Sequence, residues 1–110
     1  MELSEAEKMC KELMVVYELG KRWEFEWIGS WHTYGKCDWK KGKIQLSKHF
    51  VEVNEESEVR NTILHELAHA KCHKRGHNKF WKAWCLKLGA RPIRINTIAT
   101  CPDRFQKKEL

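Results

Sequence analysis

The sequence lacks any long apolar run and has only two prolines, Pro92 and Pro102, among its 110 residues. A membrane-spanning helix needs about 20 consecutive apolar residues, and no stretch of this chain approaches that length. The first ten residues include three glutamates, whereas a secretory signal peptide begins with basic and then apolar residues. We therefore expect one intracellular, cytoplasmic domain that makes no contact with a membrane.

Paired cysteines are also missing from the sequence. The chain has five cysteines, but no two of them form a Cys-x-x-Cys pair, so neither a disulfide framework nor a cysteine zinc ribbon is indicated. Free, reduced thiols that are buried in the core fit this spacing and an intracellular compartment. The cysteines are Cys10, Cys37, Cys72, Cys85 and Cys101.

Acidic residues are scarce in the last part of the chain. Residues 67–110 contain eleven lysines and arginines but two acids, a net charge of +9, against +6 for the whole protein. Such a concentration of positive charge favours a polyanionic partner, most often nucleic acid, although a solvated basic surface has the same composition.

Apolar spacing predicts an α+β fold in the order helix, sheet, helix, helix, as one domain over residues 1–110 with a basic C-terminal extension from about residue 91. The first helix should begin at a capping box, Ser4 with Glu7, and end by Gly20. Three strands should follow and form a small antiparallel sheet, with Gly42 in a hairpin turn. The predicted strands are Trp23–Trp27, Tyr34–Trp39 and Lys43–Leu46.

Two more helices are predicted in the second half of the chain. One runs from about Glu55 to about His73, with Asn54 as its cap and acidic residues in its first turn. The other runs from Lys79 to Leu88 and ends at a glycine. On the longer helix, an apolar stripe should pack on the sheet while the histidines border a cleft. The stripe consists of Val59, Ile63, Leu67 and Ala70.

The longer of these helices contains the sequence His65-Glu66-Leu67-Ala68-His69, which is an HExxH motif. Residues four apart on a helix project within about 40° of each other, so both imidazoles can bind one metal ion. Glu66 lies about 100° away from His65, close enough to take a proton from a water molecule beside the metal. The motif predicts a zinc site with Glu66 as the general base.

A catalytic zinc site usually has three protein ligands, so a third ligand is needed beyond His65 and His69. His73 continues the same helix, but it lies about 12 Å along the axis from His65, which zinc–nitrogen bonds cannot span. His77 follows Gly76, where the chain can turn back towards the metal. The sequence therefore favours His77 over His73.

The run HELAHAKCHKRGHNKFW, preceded by GKCDWKKGKIQLSKHF and EVRNTIL, resembles the SprT-like family of zinc metalloproteases. That family has a glycine-started hairpin, here at Gly35, before HExxHA, and a GHxxxF-type segment that supplies the third histidine. Gly76 and His77 match that segment, with Phe80 three residues after the histidine. The likeness extends over about Trp23–Trp84.

The resemblance implies a zinc metalloendopeptidase with one Zn²⁺ per chain, held by His65, His69 and His77, and with Glu66 as catalytic base. It also implies relaxed preference for protein substrates and association with DNA, single-stranded DNA above all, as in the repair of DNA–protein crosslinks. Many members add a cysteine zinc ribbon after the protease core. Here only Cys101 follows the last predicted helix, so we expect a minimal form without the ribbon.

Side chains near the metal motif are the candidates for nucleic-acid contact. Basic residues would meet phosphates, and two tryptophans near predicted turns would stack on bases, whereas the other four tryptophans suit a small core. The candidates are Lys71, Lys74, Arg75, Lys79, Lys82, Trp31 and Trp39.

Two other functions fit the same motif. One is an intracellular zinc peptidase that acts on a specific protein, such as a repressor, without any dependence on DNA. The other is a non-catalytic nucleic-acid-binding module in which zinc is purely structural. The intact Glu66 argues against the structural module, because a structural zinc site gains nothing from a base at that position.

Overall fold

The computed structural model describes residues 1–72 and 77–93, and within them four helices and three strands form an α+β domain. This arrangement confirms the predicted fold class. None of the helices in these two ranges is long and apolar enough to cross a membrane. The elements are α1 (Leu3–Val16), β1 (Glu24–Ile28), β2 (Gly35–Asp38), β3 (Lys43–Ser47), α2 (Lys48–Val53), α3 (Glu56–Lys71) and α4 (Lys79–Leu88).

The sheet has the order β1-β3-β2, so that β3 is its central strand. β2 and β3 form the predicted antiparallel hairpin, and Gly42 takes a positive φ of 67° in its turn. β1 runs parallel to β3, so the prediction of a wholly antiparallel sheet is wrong. The reason is that residues 29–34 carry the chain to the opposite edge of the sheet before β2 begins. The hairpin then reverses the chain, so β3 lies beside β1 in the same direction.

The N-terminal helix has the predicted buried face but a different start. α1 begins at Leu3, directly after Glu2, so Ser4 lies within its first turn rather than at the N-cap position. The predicted capping box is therefore wrong. The buried side chains of α1 lie three or four residues apart, as the apolar spacing predicts. They are Ala6, Cys10, Leu13 and Met14.

A short helix that the sequence pattern did not predict, α2, connects β3 to α3. Ser47 ends β3 and caps α2, because its Oγ accepts a hydrogen bond from Phe50 N at 3.3 Å. The same Oγ donates a hydrogen bond to Ser30 O at 2.5 Å, in the loop after β1. Asn54 was predicted to cap α3 but ends α2 instead, where its Nδ2 donates to Phe50 O at 2.9 Å. Glu55 is the residue that precedes α3.

The HExxH helix, α3, lies at the centre of the domain and contacts α1, α4, β2 and β3. Its predicted apolar stripe is buried, as expected. The residues between the stripe positions are buried as well, so the middle of α3 is enclosed nearly all round rather than bordering an open cleft. These additional buried residues are Thr62, Leu64, His65, Glu66 and Ala68.

Replacing Ser47 with alanine should lower the free energy of unfolding by about 1–2 kcal/mol, because the change removes the cap of α2 and the donor to Ser30 O. Urea denaturation measures the effect. Ser57→Ala, at an exposed position in the first turn of α3, is the control and should change stability by less than about 0.5 kcal/mol. Equal stability of the Ser47→Ala and wild-type proteins would contradict the role given to Ser47.

Candidate active site

Two of the three predicted metal ligands face each other between α3 and α4. His69 lies near the end of α3, and His77 lies two residues before α4 begins. The Nε2 atoms of these two residues are 3.2 Å apart. Two nitrogens bound tetrahedrally to one zinc ion, each at about 2.0–2.1 Å, would be about 3.3–3.4 Å apart. The two imidazoles therefore stand close to the separation that a shared zinc ion requires.

The third histidine, His65, makes a different contact through its Nε2, which meets the main-chain oxygen of Arg91. Arg91 is held in place by α3, since its N–H donates to Asn61 Oδ1 at 3.0 Å and its guanidinium to Glu58 Oε2 at 2.9 Å. Within residues 1–72 and 77–93, no three His, Cys, Asp or Glu side chains are arranged closely enough to hold a metal. The Arg91 contact would have to open for His65 to join the other two histidines.

The chemistry of the histidines fits a metal site. Burial lowers the pKa of His65 to about 4, although the contact with the Arg91 carbonyl opposes the change. Burial, with a smaller effect from His77, also lowers the pKa of His69 to about 4. Both rings are therefore neutral at pH 7, the form in which imidazole binds a metal. Neutral imidazole nitrogens are ligands that zinc prefers.

Glu66 lies between the two motif histidines in sequence and is only 6% exposed. Burial raises the pKa of its carboxyl group to about 8. Burial also raises the pKa of Cys10, Cys37 and Cys85 to about 12, and the Glu66 carboxylate adds to the rise in all three. These thiols come from α1, β2 and α4, which are three of the elements that pack against α3. With pKa values this high, the thiols are protonated at pH 7. Cys10 and Cys85 are buried, as the sequence predicts, whereas Cys37 is only partly buried.

The close approach of β2 to α3 depends on Gly35. A Cβ atom at this position would lie 3.0 Å from Gln45 O, 3.1 Å from Thr62 Cγ2 and 3.3 Å from Glu66 Cγ. A side chain of any size would push β2 away from α3. The glycine that begins the hairpin therefore lets the edge strand lie directly against the helix turn that carries Glu66.

The aromatic ring that contacts the histidines belongs to Trp81. The resemblance to the GHxxxF-type segment had instead been drawn with Phe80 as its aromatic residue. Phe80 is 48% exposed, while Trp81 is fully buried with its ring against His65, His69 and His77. In a GHxxxF pattern the aromatic residue comes four positions after the histidine, which is position 81. Strict counting from His77 would have identified Trp81 from the sequence.

The two tryptophans proposed for base stacking differ in their surroundings. Trp39 is 37% exposed in the β2–β3 turn, and its Nε1 donates to His69 O at 3.2 Å. The Arg22 guanidinium lies 4.7 Å from the centre of the Trp39 ring. Trp31 is half-buried and stacked on His49, with ring centres 3.5 Å apart. Trp39 therefore lies beside the candidate site with Arg22 over its ring, whereas Trp31 stacks on His49.

Three of the basic candidates, Lys71, Lys79 and Lys82, lie on α3 and α4 within the described residues. Lys71 ends α3, and its Nζ donates to Glu18 O at 3.2 Å. Lys79 and Lys82 are exposed on the first turns of α4. The candidates and predicted features that lie outside the described residues are His73, Lys74, Arg75, the helix-ending Gly76, Cys101 and the extension from residue 94 onwards.

Comparison with protein-family models matches residues 5–101 to the SprT-like family. The chain belongs to the SprT-like family. This is the family that the HExxH and GH segments resemble, and the match extends beyond those segments to include nearly all of α1. Comparisons with curated proteins and with solved structures give no significant match. Family membership supports, in general terms, a metalloprotease-like domain.

In this SprT-like domain, Gly35→Ala should lower the free energy of unfolding by about 1–3 kcal/mol, because the added methyl group overpacks the contact between β2 and α3. Gly29→Ala is the matched control, since a Cβ there would meet no atom of the described residues within 4 Å. Its effect should stay within about 0.5 kcal/mol. Urea denaturation of both variants checks the prediction, which fails if the two are equally stable.

Proposed function

We propose that this SprT-like domain is a zinc-dependent metalloendopeptidase that acts on proteins associated with DNA. The observation that carries the proposal is the 3.2 Å separation of His69 Nε2 and His77 Nε2. His69 belongs to the same HExxH motif as Glu66. Membership of the SprT-like family supports metalloprotease chemistry independently of this distance.

The residues that would hold the zinc ion are His65, His69 and His77. His65 would do so after its Nε2 leaves the Arg91 carbonyl, a rearrangement that requires movement of one short segment after α4. When bound, the ion would polarise the peptide carbonyl and ease the deprotonation of a water molecule. Three protein nitrogens leave one position open, as catalytic zinc sites require.

Glu66 would act as the general base. It would take a proton from the attacking water and deliver it to the leaving amine as the peptide bond breaks. A base must be ionised, and burial alone opposes ionisation of this carboxyl group by raising its pKa. Glu66 would ionise more readily beside a divalent cation, because an opposite charge within about 4–6 Å lowers a carboxyl pKa.

A protein substrate would bind along β2. This strand lies at one edge of the sheet, since the strand order places β3 on its other side. An extended peptide can pair with the main chain of an edge strand without any requirement for particular side chains. Because β2 lies against the Glu66 turn at Gly35, a peptide bound there would pass close to the base.

The association with DNA is supported by charge and by one tryptophan. Lys79 and Lys82 are exposed at the start of α4, close in sequence to His77, and Trp39 is exposed beside His69. Lysines bind phosphates regardless of base sequence, and an exposed indole can stack on an unpaired base. These features favour a DNA-associated protease over a peptidase whose basic surface has no partner.

Purified wild-type protein should contain one zinc ion per chain, and His77→Ala should lose most of it, because two histidines hold zinc far more weakly than three. Elemental analysis measures the zinc content. His49→Ala removes a histidine that stacks on Trp31 instead and should keep its zinc. Full zinc in His77→Ala, together with loss in His73→Ala, would show that His73 is the third ligand.

Glu66→Gln should keep the fold and the zinc ion but lose protein cleavage by about 10²-fold or more, since glutamine has the same shape but cannot accept the proton. Cleavage of a denatured protein substrate, followed by gel electrophoresis, measures the loss. If the variant cleaves at the wild-type rate, Glu66 is not the base. If the zinc-loaded wild type cleaves no protein with or without DNA, the structural module becomes the better account.

Charge reversal at Lys79 and Lys82 together should weaken DNA binding and reduce any stimulation of cleavage by DNA, while zinc content stays the same. Lys8→Glu with Lys48→Glu makes the same charge change on α1 and α2 and is the control. Binding of single-stranded and duplex DNA should fall steeply as salt increases. If the wild-type protein shows no salt-dependent binding of DNA at low ionic strength, the association with DNA is wrong. A zinc peptidase that acts without DNA then becomes the better account.

A further inference from the structure

One buried indole ring contacts all three histidines of the candidate site. The ring centre of Trp81 lies 5.1 Å from that of His65, with the planes at 79°, and 4.5 Å from that of His77, at 87°. It lies 5.1 Å from the ring of His69 with the planes only 20° apart, which is an offset stack. Trp81 Nε1 also donates a hydrogen bond to the main-chain oxygen of His65 at 3.3 Å.

The start of α4 fixes the position of Trp81 relative to His77. Asn78 caps this helix, because its Oδ1 accepts hydrogen bonds from Phe80 N at 3.0 Å and Trp81 N at 3.1 Å. His77 immediately precedes the cap, so the ligand and the indole are tied to the same helix end. The Trp81 side chain is fully buried, which restricts it to few rotamers.

We propose that Trp81 is a positioning residue that holds the imidazoles of His69 and His77, and the main chain at His65, in place before a metal ion binds. The indole N–H fixes the main chain at His65, the stack restricts the plane of His69, and the ring edge restricts His77. Ligands that are already ordered lose less conformational freedom on binding, so affinity for the metal rises. This role rests on the proposed function, since it assumes that the three histidines share a metal.

A tryptophan that only fills the core would behave differently. Trp84, three residues later on α4, provides the comparison, because its half-buried ring packs on the core and under Lys87, 4.9 Å from the Lys87 Nζ. Trp81→Leu and Trp84→Leu remove the same atoms from the same helix. Only the first removes a ring that touches the histidines.

Zinc affinity, measured by competition with a chromophoric chelator, separates the two roles. Trp81→Leu should bind zinc about 10- to 100-fold more weakly than the wild type, as is usual when a group that orients a metal ligand is lost. Trp81→Phe should restore most of the affinity, because it keeps an aromatic face against His69, and Trp84→Leu should bind as the wild type does. Wild-type affinity in a folded Trp81→Leu protein would overturn the proposal.

A second measurement needs no variant and covers the case in which Trp81→Leu fails to fold. In metal-free wild-type protein, the ring protons of His69 and His77 should show NMR shifts displaced by the indole ring current, and zinc should change the ring arrangement little. Ring resonances at their unfolded positions would overturn the proposal. A wild-type protein that binds no zinc would instead refute the proposed function, and the positioning role would fall with it.

Discussion

The burial of a polar helix turn is the constraint on which the rest of this structure depends. α3 carries the buried His65 and Glu66 and the half-buried His69 through the centre of the domain, where water has little access to them. Burial keeps His65 and His69 neutral, which is the form of imidazole that can bind a metal. The same effect raises the pKa of Glu66 and so opposes ionisation of its carboxyl group. A buried polar group is costly unless it has partners, and a metal ion would supply a partner to each imidazole and an opposite charge beside the carboxyl group.

The surrounding elements are arranged to meet this constraint. β2 can lie against the Glu66 turn because Gly35 has no side chain, and α4 brings Trp81 and His77 to the histidine face of α3. The segment after α4 closes the remaining side, where the Arg91 carbonyl meets His65 Nε2. Metal binding and the position of this short segment would therefore be coupled, because both would use the same nitrogen atom of His65.

The features that depend on local patterns could be predicted from the sequence, and those that depend on distant parts of the chain could not. The apolar stripe of α3, the end of α4 at Gly89 and the β2–β3 hairpin follow from spacing and turn chemistry, and the structure confirms them. The parallel pairing of β1 with β3 depends on the path of the loop between β1 and β2. The alternation of apolar and polar residues within a strand does not specify that path. α2 has only six residues, too few to show helical periodicity, although a serine at position 47 is a residue type that favours a helix N-cap. The burial of Glu66 depends on the elements that pack against α3, so no single segment indicates it.

A crystal structure of the zinc-loaded protein, with anomalous data collected at the zinc edge, tests the central claim most directly. The account predicts a single anomalous peak about 2.0–2.1 Å from Nε2 of His65, His69 and His77. The Arg91 carbonyl should then have left His65, and the Glu66 carboxylate should lie near the ion without binding it. A peak on other residues would contradict the account. So would a zinc site that does not include His65, with the contact between His65 Nε2 and the Arg91 carbonyl still in place.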